Sequence, residues 1–179
     1  MILFVRHGQT DNNVKHILTG GDWDVSLNSQ GLLQAEEASL KLKNTKIDLV
    51  ICSPLIRAKQ TANAILKFHK NTPIFYDDRI KERELGDLNG EIDSDFPQLW
   101  KVGADVSLCK EKNAESIDEF FNRCKDFVED ISKRYKNETV LVVAHNGVGR
   151  MFKCVFNGFP KSGNLDDYDV ENAEVLIFG

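Results

Sequence analysis

The chain has 179 residues, of which 41% are hydrophobic and 28% charged, with a formal net charge of -5 and a pI near 5.4. This length and composition predict one globular domain spanning residues 1–179, and they exclude the low hydropathy of a disordered chain. The acidic balance argues against a nucleic-acid-binding protein, because such proteins usually carry a basic face, but it leaves room for a small anion held by local cations.

Alternating apolar runs and amphipathic segments predict an α/β fold. The strands are expected at residues 2–5, 47–52, 74–76, 139–145 and 174–178, and the helices at 29–43, 54–69, 115–135 and 148–156. Ser53 and Pro54 are expected to be the N-cap and first residue of the second helix. Residues 80–114, which mix glycines with aromatic and charged residues, predict an irregular flap. Strands that alternate with helices predict a mainly parallel sheet covered on both faces, a three-layer α/β/α sandwich.

The cysteine pattern and the first apolar run bear on the compartment. The four cysteines form no C-x-x-C pair, which favours reduced, buried thiols and a cytoplasmic protein. The apolar run at residues 2–5 is too short for a signal peptide or a membrane span, so we expect no contact with a membrane. Both a monomer and a homodimer are compatible with these features.

Two histidines follow two of the predicted strands directly. His7 comes after the run at 2–5 and is followed by Gly8, and His145 comes after the run at 139–144. The glycine allows a sharp turn at the carboxyl end of the first strand, which is where ligands of parallel sheets bind. If the two strands are neighbours in the sheet, both imidazoles can meet over one ligand.

Two arginines accompany these histidines. Arg6 precedes His7, and Arg57 is expected in the first turn of the helix that begins at Ser53 and Pro54. The first turn of a helix is partly positive and normally favours acidic residues, so an arginine there indicates that an anion shares the site. A guanidinium group can hold two phosphate oxygens at once, which makes phosphate the expected anion.

Four motifs together resemble the histidine phosphatase superfamily, branch 1, with its phosphoglycerate mutase-like fold. They are Arg6-His7-Gly8-Gln9-Thr10, the stretch from Ser53 to Ala62, the stretch from Lys81 to Gly86, and Ala144-His145-Asn146-Gly147. The order and surroundings of these motifs match over almost the whole chain.

The resemblance implies a role for each matching residue. His7 would be the nucleophile that becomes phosphorylated, and Arg6, Arg57 and His145 would surround the transferred phosphoryl group. The proton donor of the family lies four residues before a glycine, which selects Glu82. The positions expected to contact the substrate are Asn13, Thr19, Gly20 and Asn146.

A second carboxylate, Glu84, lies close to Glu82 in the sequence and remains an alternative proton donor. The task of the donor is to protonate the leaving oxygen and then to activate water. A charged run such as residues 81–84 is otherwise typical of a solvated surface. The sequence alone does not decide between the two carboxylates.

No cofactor and no metal site is expected, because the chain has no phosphate-binding P-loop, zinc-helix or EF-hand motif. A thiolate mechanism at Cys52 is also rejected, because only four residues separate it from Arg57 and no glycine-rich loop follows the cysteine. The predicted chemistry therefore depends on the histidines.

The predicted function is hydrolysis of a small phosphorylated metabolite through a phosphohistidine intermediate. A short 80–114 segment without paired arginines favours water as the phosphoryl acceptor. A cofactor-dependent phosphoglycerate mutase is the main alternative. A non-catalytic module that binds phosphorylated ligands is the second alternative, and it is disfavoured because Arg6, His7, Arg57, Glu82 and His145 are all present.

Overall fold

The computed structural model describes all 179 residues. The strands are β1 (Ile2–Arg6), β2 (Leu49–Cys52), β3 (Ile74–Tyr76), β4 (Val140–Ala144) and β5 (Val175–Phe178). The helices are α1 (Asp11–Val14), α2 (Ser29–Leu42), α3 (Ile56–Leu66), α4 (Val106–Glu111), α5 (Ile117–Arg134) and α6 (Asn146–Asn157). Four 3-10 turns lie at Asp78–Ile80, Gly86–Leu88, Asp93–Asp95 and Leu165–Tyr168.

All five strands form one sheet in the order β3-β2-β4-β1-β5, which is parallel except for β5. The neighbours β1 and β4 pair in a register that places Arg6 opposite Ala144. The ladder continues past β1, since the His7 amide donates to the Ala144 carbonyl at 2.9 Å. The two strands that precede His7 and His145 are therefore adjacent, a condition that the pattern of apolar runs had left open.

Alternate residues of the buried strands face two separate cores. Helices α5 and α6 cover one face of the sheet, and α2 and α3 cover the other. In β1, Ile2 and Phe4 join the first core, while Leu3 and Val5 join the second. Near-continuous apolar strands are typical of a parallel sheet with both faces covered. The predicted three-layer α/β/α sandwich is confirmed.

The prediction for the start of α3 was wrong by two residues. The helix begins at Ile56, and Ser53 does not cap it. The Asp24 carboxylate, from a distant loop, accepts the Ile56 amide at 2.9 Å and takes the place of the expected cap. Leu55, the residue before the helix, has an extended backbone. The Ser53 hydroxyl is therefore available for a different contact, described below.

The 80–114 segment is packed around a small third core formed by Leu18, Leu85, Leu88, Leu99 and Cys109. The structure adds helix α4 and 3-10 turns, none of which the glycine-rich pattern predicted. The fully buried Arg83 fastens this segment, since its guanidinium donates to the Asp105 carboxylate at 2.7 Å and to the Leu99 carbonyl at 2.6 Å. The segment thus closes one end of the molecule as an ordered layer.

All four cysteines are buried and unpaired, as the spacing predicted. None of the helices combines the length and the apolar composition needed to cross a bilayer.

Candidate active site

A cavity of about 340 Å³ opens at the carboxyl ends of β1 and β4. Its wall includes Arg6, His7, Arg57 and Glu82, which come from three separate parts of the sequence. Loops that follow parallel strands meet at one edge of a sheet, which explains why the residues converge there. The cavity therefore gathers four of the five groups that the sequence selected for phosphate chemistry. The expectation that His145 also surrounds the phosphoryl group was wrong, because its ring is fully buried and does not line the cavity.

His7 is held in one tautomer. Its ring is 4% exposed, and Nδ1 lies 2.7 Å from the Gly8 carbonyl oxygen. A carbonyl oxygen only accepts, so Nδ1 carries the hydrogen and Nε2 keeps its lone pair. Burial, followed by the charges of Arg57 and Arg6, lowers the pKa of His7 well below its ordinary value of 6.5. The ring is neutral near pH 7, and Nε2 is a free base.

His145 is fully buried next to His7, and the centroids of the two rings are 5.2 Å apart. Arg57 Nε donates to His145 Nδ1 at 3.3 Å, so the hydrogen of His145 is on Nε2, which lies 2.7 Å from the Ser53 hydroxyl oxygen. Burial, and then the charge of Arg57, lowers the pKa of His145 well below 6.5. This neutral ring therefore orients the Arg57 guanidinium by accepting its Nε hydrogen.

Arg57 is 2% exposed, and each of its guanidinium nitrogens is anchored. Besides the contact with His145, Nη1 donates to the Trp23 carbonyl at 3.1 Å and Nη2 to the Gly20 carbonyl at 3.2 Å. Each Nη carries a second hydrogen. Gly20 itself is buried and does not line the cavity. Its contribution is a carbonyl oxygen that positions Arg57.

Arg6 is fixed at one end only. Its Nη1 donates to the Val170 carbonyl at 2.5 Å, whereas its buried Nε has no partner. That nitrogen is out of contact with solvent, so a bound ligand would be reached by the remaining Nη hydrogens of Arg6. Together, Arg6 and Arg57 give the cavity wall beside His7 two positive charges.

Glu82 lies on the cavity wall, and Glu84 does not. Glu82 is 9% exposed as a whole residue. Its carboxylate oxygens accept hydrogen bonds from the backbone N–H groups of Arg83 at 2.8 Å and Gly147 at 3.0 Å. Glu84 points outward and pairs with Lys81 at 3.8 Å. The geometry therefore favours Glu82 over Glu84 as the carboxylate that can reach a bound ligand.

Comparison with known proteins places this arrangement in a family. The model of the histidine phosphatase superfamily (branch 1) matches residues 2–179. The chain belongs to this superfamily. It is 34% identical, over 83% of its length and 67% of the relative, to phosphoglycerate mutase-like protein 4 of Arabidopsis thaliana.

Two further similarities concern sequence and fold. The histidine phosphatase is 31% identical to fructose-2,6-bisphosphatase TIGAR of Xenopus laevis over 99% of its own length, and it spans 64% of the length of that relative. The solved structure of the alpha-ribazole phosphatase of Shigella flexneri superposes with a TM-score of 0.80 at 24% identity, with 97% and 87% of the two chains covered. The second likeness concerns the fold alone.

Three of the expected substrate-binding residues of this histidine phosphatase line the cavity: Asn13, Thr19 and Asn146. The Asn13 amide oxygen accepts the Thr10 amide at 3.0 Å in a capping box at the start of α1. The Thr19 hydroxyl accepts from the Asn12 amide group at 2.9 Å. These side chains are thus oriented by neighbours before any ligand binds.

Sequence reasoning missed several groups at this site. Ser53 was interpreted as a helix cap, and its contact with His145 depends on the pairing of β2 with β4, which no local pattern reveals. Arg150 and Trp100 also line the cavity, and Arg83 reaches it from the 80–114 segment. Arg150 is 5% exposed on the otherwise apolar face of α6, and this isolated charge was the one available signal.

The cysteine and metal hypotheses can be compared with the structure. Burial raises the pKa of Cys52 to about 12, so its thiol stays protonated at neutral pH. No group of three or more His, Cys, Asp or Glu side chains is arranged to hold a metal ion.

Proposed function

We propose that this protein hydrolyses small phosphomonoesters by way of a phosphohistidine on His7. The observation that carries the proposal is the free Nε2 lone pair of a neutral, fixed His7, which shares a cavity wall with Arg6 and Arg57. A neutral nucleophile approaches an anionic phosphoryl group without adding negative charge. Two arginines can stabilise the charge on the three equatorial oxygens of the transition state.

In the first step, the Nε2 lone pair attacks phosphorus, and the bond between phosphorus and the leaving oxygen breaks. Glu82 gives a proton to that oxygen, so the alcohol leaves neutral. In the second step, Glu82 takes a proton from water, the resulting hydroxide bonds to phosphorus, and the phosphorus–nitrogen bond breaks. Orthophosphate leaves, and His7 regains its lone pair.

In this proposal, His145 acts through Arg57. Its Nδ1 accepts the Arg57 Nε hydrogen, which orients the guanidinium toward the phosphoryl oxygens. Ser53 in turn accepts the other ring hydrogen of His145. Asn13, Thr19 and Asn146 would bind the remaining substrate oxygens.

We also infer that the reaction needs no metal ion and takes place in the cytoplasm. Each step above has a protein group that moves the proton or stabilises the charge. Four unpaired cysteines are typical of a reducing compartment. A small metabolite fits a cavity of about 340 Å³.

The test combines the purified protein with p-nitrophenyl phosphate, with and without EDTA, and with 3-phosphoglycerate. We expect phosphate release that EDTA leaves unchanged and that His7→Ala abolishes. His16→Ala is the matched control, because His16 lines the same cavity but has no part in the mechanism. Loss of turnover in EDTA would contradict the metal-free mechanism.

The same experiment separates hydrolysis from the mutase alternative. Exchange between 2- and 3-phosphoglycerate that is faster than phosphate release would favour the mutase. If His7→Ala retained turnover, the phosphohistidine mechanism would be wrong.

A further inference from the structure

The carbonyl group that holds His7 belongs to the peptide group between Gly8 and Gln9. His7 Nδ1 donates to the oxygen of this peptide group at 2.7 Å, which leaves the Nε2 lone pair free. Hydrogen bonds of the ring decide which nitrogen of a neutral imidazole carries the hydrogen, and in water the favoured nitrogen is Nε2. The direction of the Gly8 carbonyl therefore decides whether His7 has a lone pair for the attack on phosphorus.

The opposite side of the same peptide group is held by Gln34, on helix α2. The Gln9 N–H donates to Gln34 Oε1 at 2.8 Å, and this oxygen is its one acceptor in the structure. A peptide group is planar and trans, so its N–H and its C=O point in opposite directions. Because Gln34 fixes the N–H, it also fixes the carbonyl that accepts the hydrogen bond from His7.

Gly8 alone would not hold the plane of this peptide group. Glycine has no Cβ, so its backbone dihedral angles are less restricted than those of other residues. A glycine is nevertheless required here, because a Cβ would lie 2.3 Å from the Gly31 carbonyl oxygen in the first turn of α2. The close approach to α2 thus demands a flexible residue, and the hydrogen bond to Gln34 supplies the missing restraint.

The neighbouring peptide groups have anchors of their own. The Gly8 N–H, which belongs to the preceding peptide group, donates to Thr61 Oγ1 at 3.1 Å. The Gln9 carbonyl, which belongs to the following one, accepts the Asn28 amide at 3.0 Å. Of these anchors, Gln34 is the one that holds the peptide group bonded to the His7 ring.

Gln34 cannot act on a substrate directly. Its side chain is half-buried and is not part of the cavity wall, whereas His7 is. The route from Gln34 to the reacting nitrogen is therefore a chain of two hydrogen bonds, one on each side of a rigid peptide plane.

We propose that Gln34 is a positioning residue that keeps the hydrogen of His7 on Nδ1 and so keeps Nε2 available as the nucleophile. The consequence for hydrolysis rests on the proposed function of His7. The consequence for the position of the hydrogen does not, and it can be measured on the resting protein.

The test uses two substitutions of Gln34 and one matched control. Gln34→Met removes the acceptor oxygen but keeps the length of the side chain and its preference for helix. Gln34→Glu keeps an acceptor oxygen. The control is Gln60→Met, because Gln60 is half-buried on α3, outside the cavity, and its Oε1 accepts the Leu27 amide at the same distance of 2.8 Å.

Long-range ¹H–¹⁵N NMR spectra at pH 8 show which ring nitrogen carries the hydrogen, because a protonated nitrogen and one with a free lone pair resonate in separate ranges. The signals of His7 are identified by their loss in His7→Gln. We expect the hydrogen on Nδ1 in the wild type, in Gln34→Glu and in Gln60→Met. In Gln34→Met we expect most of it on Nε2.

The kinetic readout is the hydrolysis of p-nitrophenyl phosphate. Gln34→Met should lower kcat by about tenfold and leave KM within about twofold, because both tautomers bind substrate but only the one with a free Nε2 reacts. Gln34→Glu and Gln60→Met should keep kcat within about threefold of the wild type.

An unchanged position of the His7 hydrogen in Gln34→Met would overturn the inference, and so would an equal shift in Gln34→Glu or in Gln60→Met. If the wild type hydrolyses esters in those cases, the phosphatase proposal still stands. If the hydrogen moves as expected but the wild type hydrolyses no ester, the phosphatase proposal fails and the positioning role of Gln34 stands.

Discussion

Two parts of the cavity wall are built in different ways. The inner end, as the term is used here, is the part at the carboxyl ends of β1, β2 and β4, and the outer end is the part from the 80–114 segment and the loop between α6 and β5. At the inner end, the backbone places His7 and Ser53, since both amides donate to β4 carbonyls at 2.9 Å and follow buried strands. At the outer end, turns and loops supply the wall, and side chains hold those loops in place. Arg83 fastens the 80–114 segment, and Arg150 fastens the segment around Asp169.

This difference separates chemistry from recognition. Groups that must keep a fixed geometry during phosphoryl transfer are attached to the most buried part of the sheet. The groups of the outer end are attached to segments that a few side-chain anchors hold, so they can change without disturbing the sheet. Substitutions at the two ends should therefore differ in their effects on the free energy of unfolding and on kcat.

The largest expected effect concerns the anchor of the outer end. Arg83→Met leaves the Asp105 carboxylate, 1% exposed, without its cation. We expect the free energy of unfolding to fall by about 3–5 kcal/mol, because a buried charge then lacks compensation. Urea denaturation measures the change.

Two comparisons sharpen this prediction. Adding Asp105→Asn to Arg83→Met should recover part of the loss, since the unpaired charge is removed. Arg134→Met, which breaks an exposed pair with Asp130, should cost less than about 1 kcal/mol. Equal losses for the exposed and buried arginines would show that Arg83 is not an anchor.

The next effect concerns Glu82, which bridges the two ends. A Cβ added at Gly147 would collide with Glu82 Oε1 and would lie 2.9 Å from carbons of Phe120 and Trp100. Gly147→Ala should therefore displace the carboxylate and lower kcat by about 100-fold, within the usual range for a general acid. Steady-state kinetics on an alkyl phosphate measures it.

The effect should be smaller on p-nitrophenyl phosphate, because nitrophenolate leaves without a proton. On a Glu82→Gln background, Gly147→Ala should add little. A full further 100-fold loss on that background would mean that the glycine acts through another group.

The buried histidines of the inner end predict a specific pH dependence of stability. Both have a native pKa well below 6.5, chiefly because of burial. Below about pH 6.5 the unfolded chain binds protons at these sites and the native chain does not, so unfolding becomes easier as the pH falls. For each histidine, the fall in the free energy of unfolding should steepen as the pH drops through 6.5, toward a limit of about 1.4 kcal/mol per pH unit.

Urea denaturation between pH 7 and 5.5 checks this slope before most carboxylates titrate. His7→Gln should remove one of the two contributions, so its slope should be shallower than that of the wild type. An unchanged slope would show that His7 does not stay neutral in the native state.

The smallest expected effect concerns the contact between Ser53 and His145. Ser53→Ala removes the acceptor of the His145 Nε2 hydrogen, which loosens the ring that orients Arg57. We expect kcat to fall by about tenfold, as for loss of one positioning hydrogen bond. Ser39→Ala is the matched control, because this buried serine contacts only the Glu36 carbonyl in α2. Equal kcat losses in the two variants would reduce Ser53 to a structural role.

The inner end could be predicted from local sequence, and the reason is physical. Apolar strands followed directly by a functional residue place that residue at the sheet edge, so His7 and His145 could be located from the chain alone. Arg57 was identified by its conflict with the helix dipole. Choosing Glu82 required the family motif, because a charged run gives no periodic signal.

Contacts between distant segments could not be predicted in the same way at either end of the cavity. The role of Ser53 depends on a neighbour 92 residues away, and the cap of α3 comes from Asp24 in a separate loop. Arg83 and Arg150 find their partners only once the loops are folded. Contacts between loops have no periodicity, so the sequence reveals the residue types but not their pairing.

The most direct test of the phosphohistidine mechanism is to locate the phosphoryl group on the protein. The enzyme is mixed briefly with a ³²P-labelled phosphomonoester and denatured in base. The labelled peptide is isolated and hydrolysed in base, and the labelled amino acid is compared with standards of the two phosphohistidine isomers. The expected result is label on Nε2 of His7, since Nδ1 donates to the Gly8 carbonyl. Label on Nδ1, on His145, or on no histidine during active turnover would contradict it.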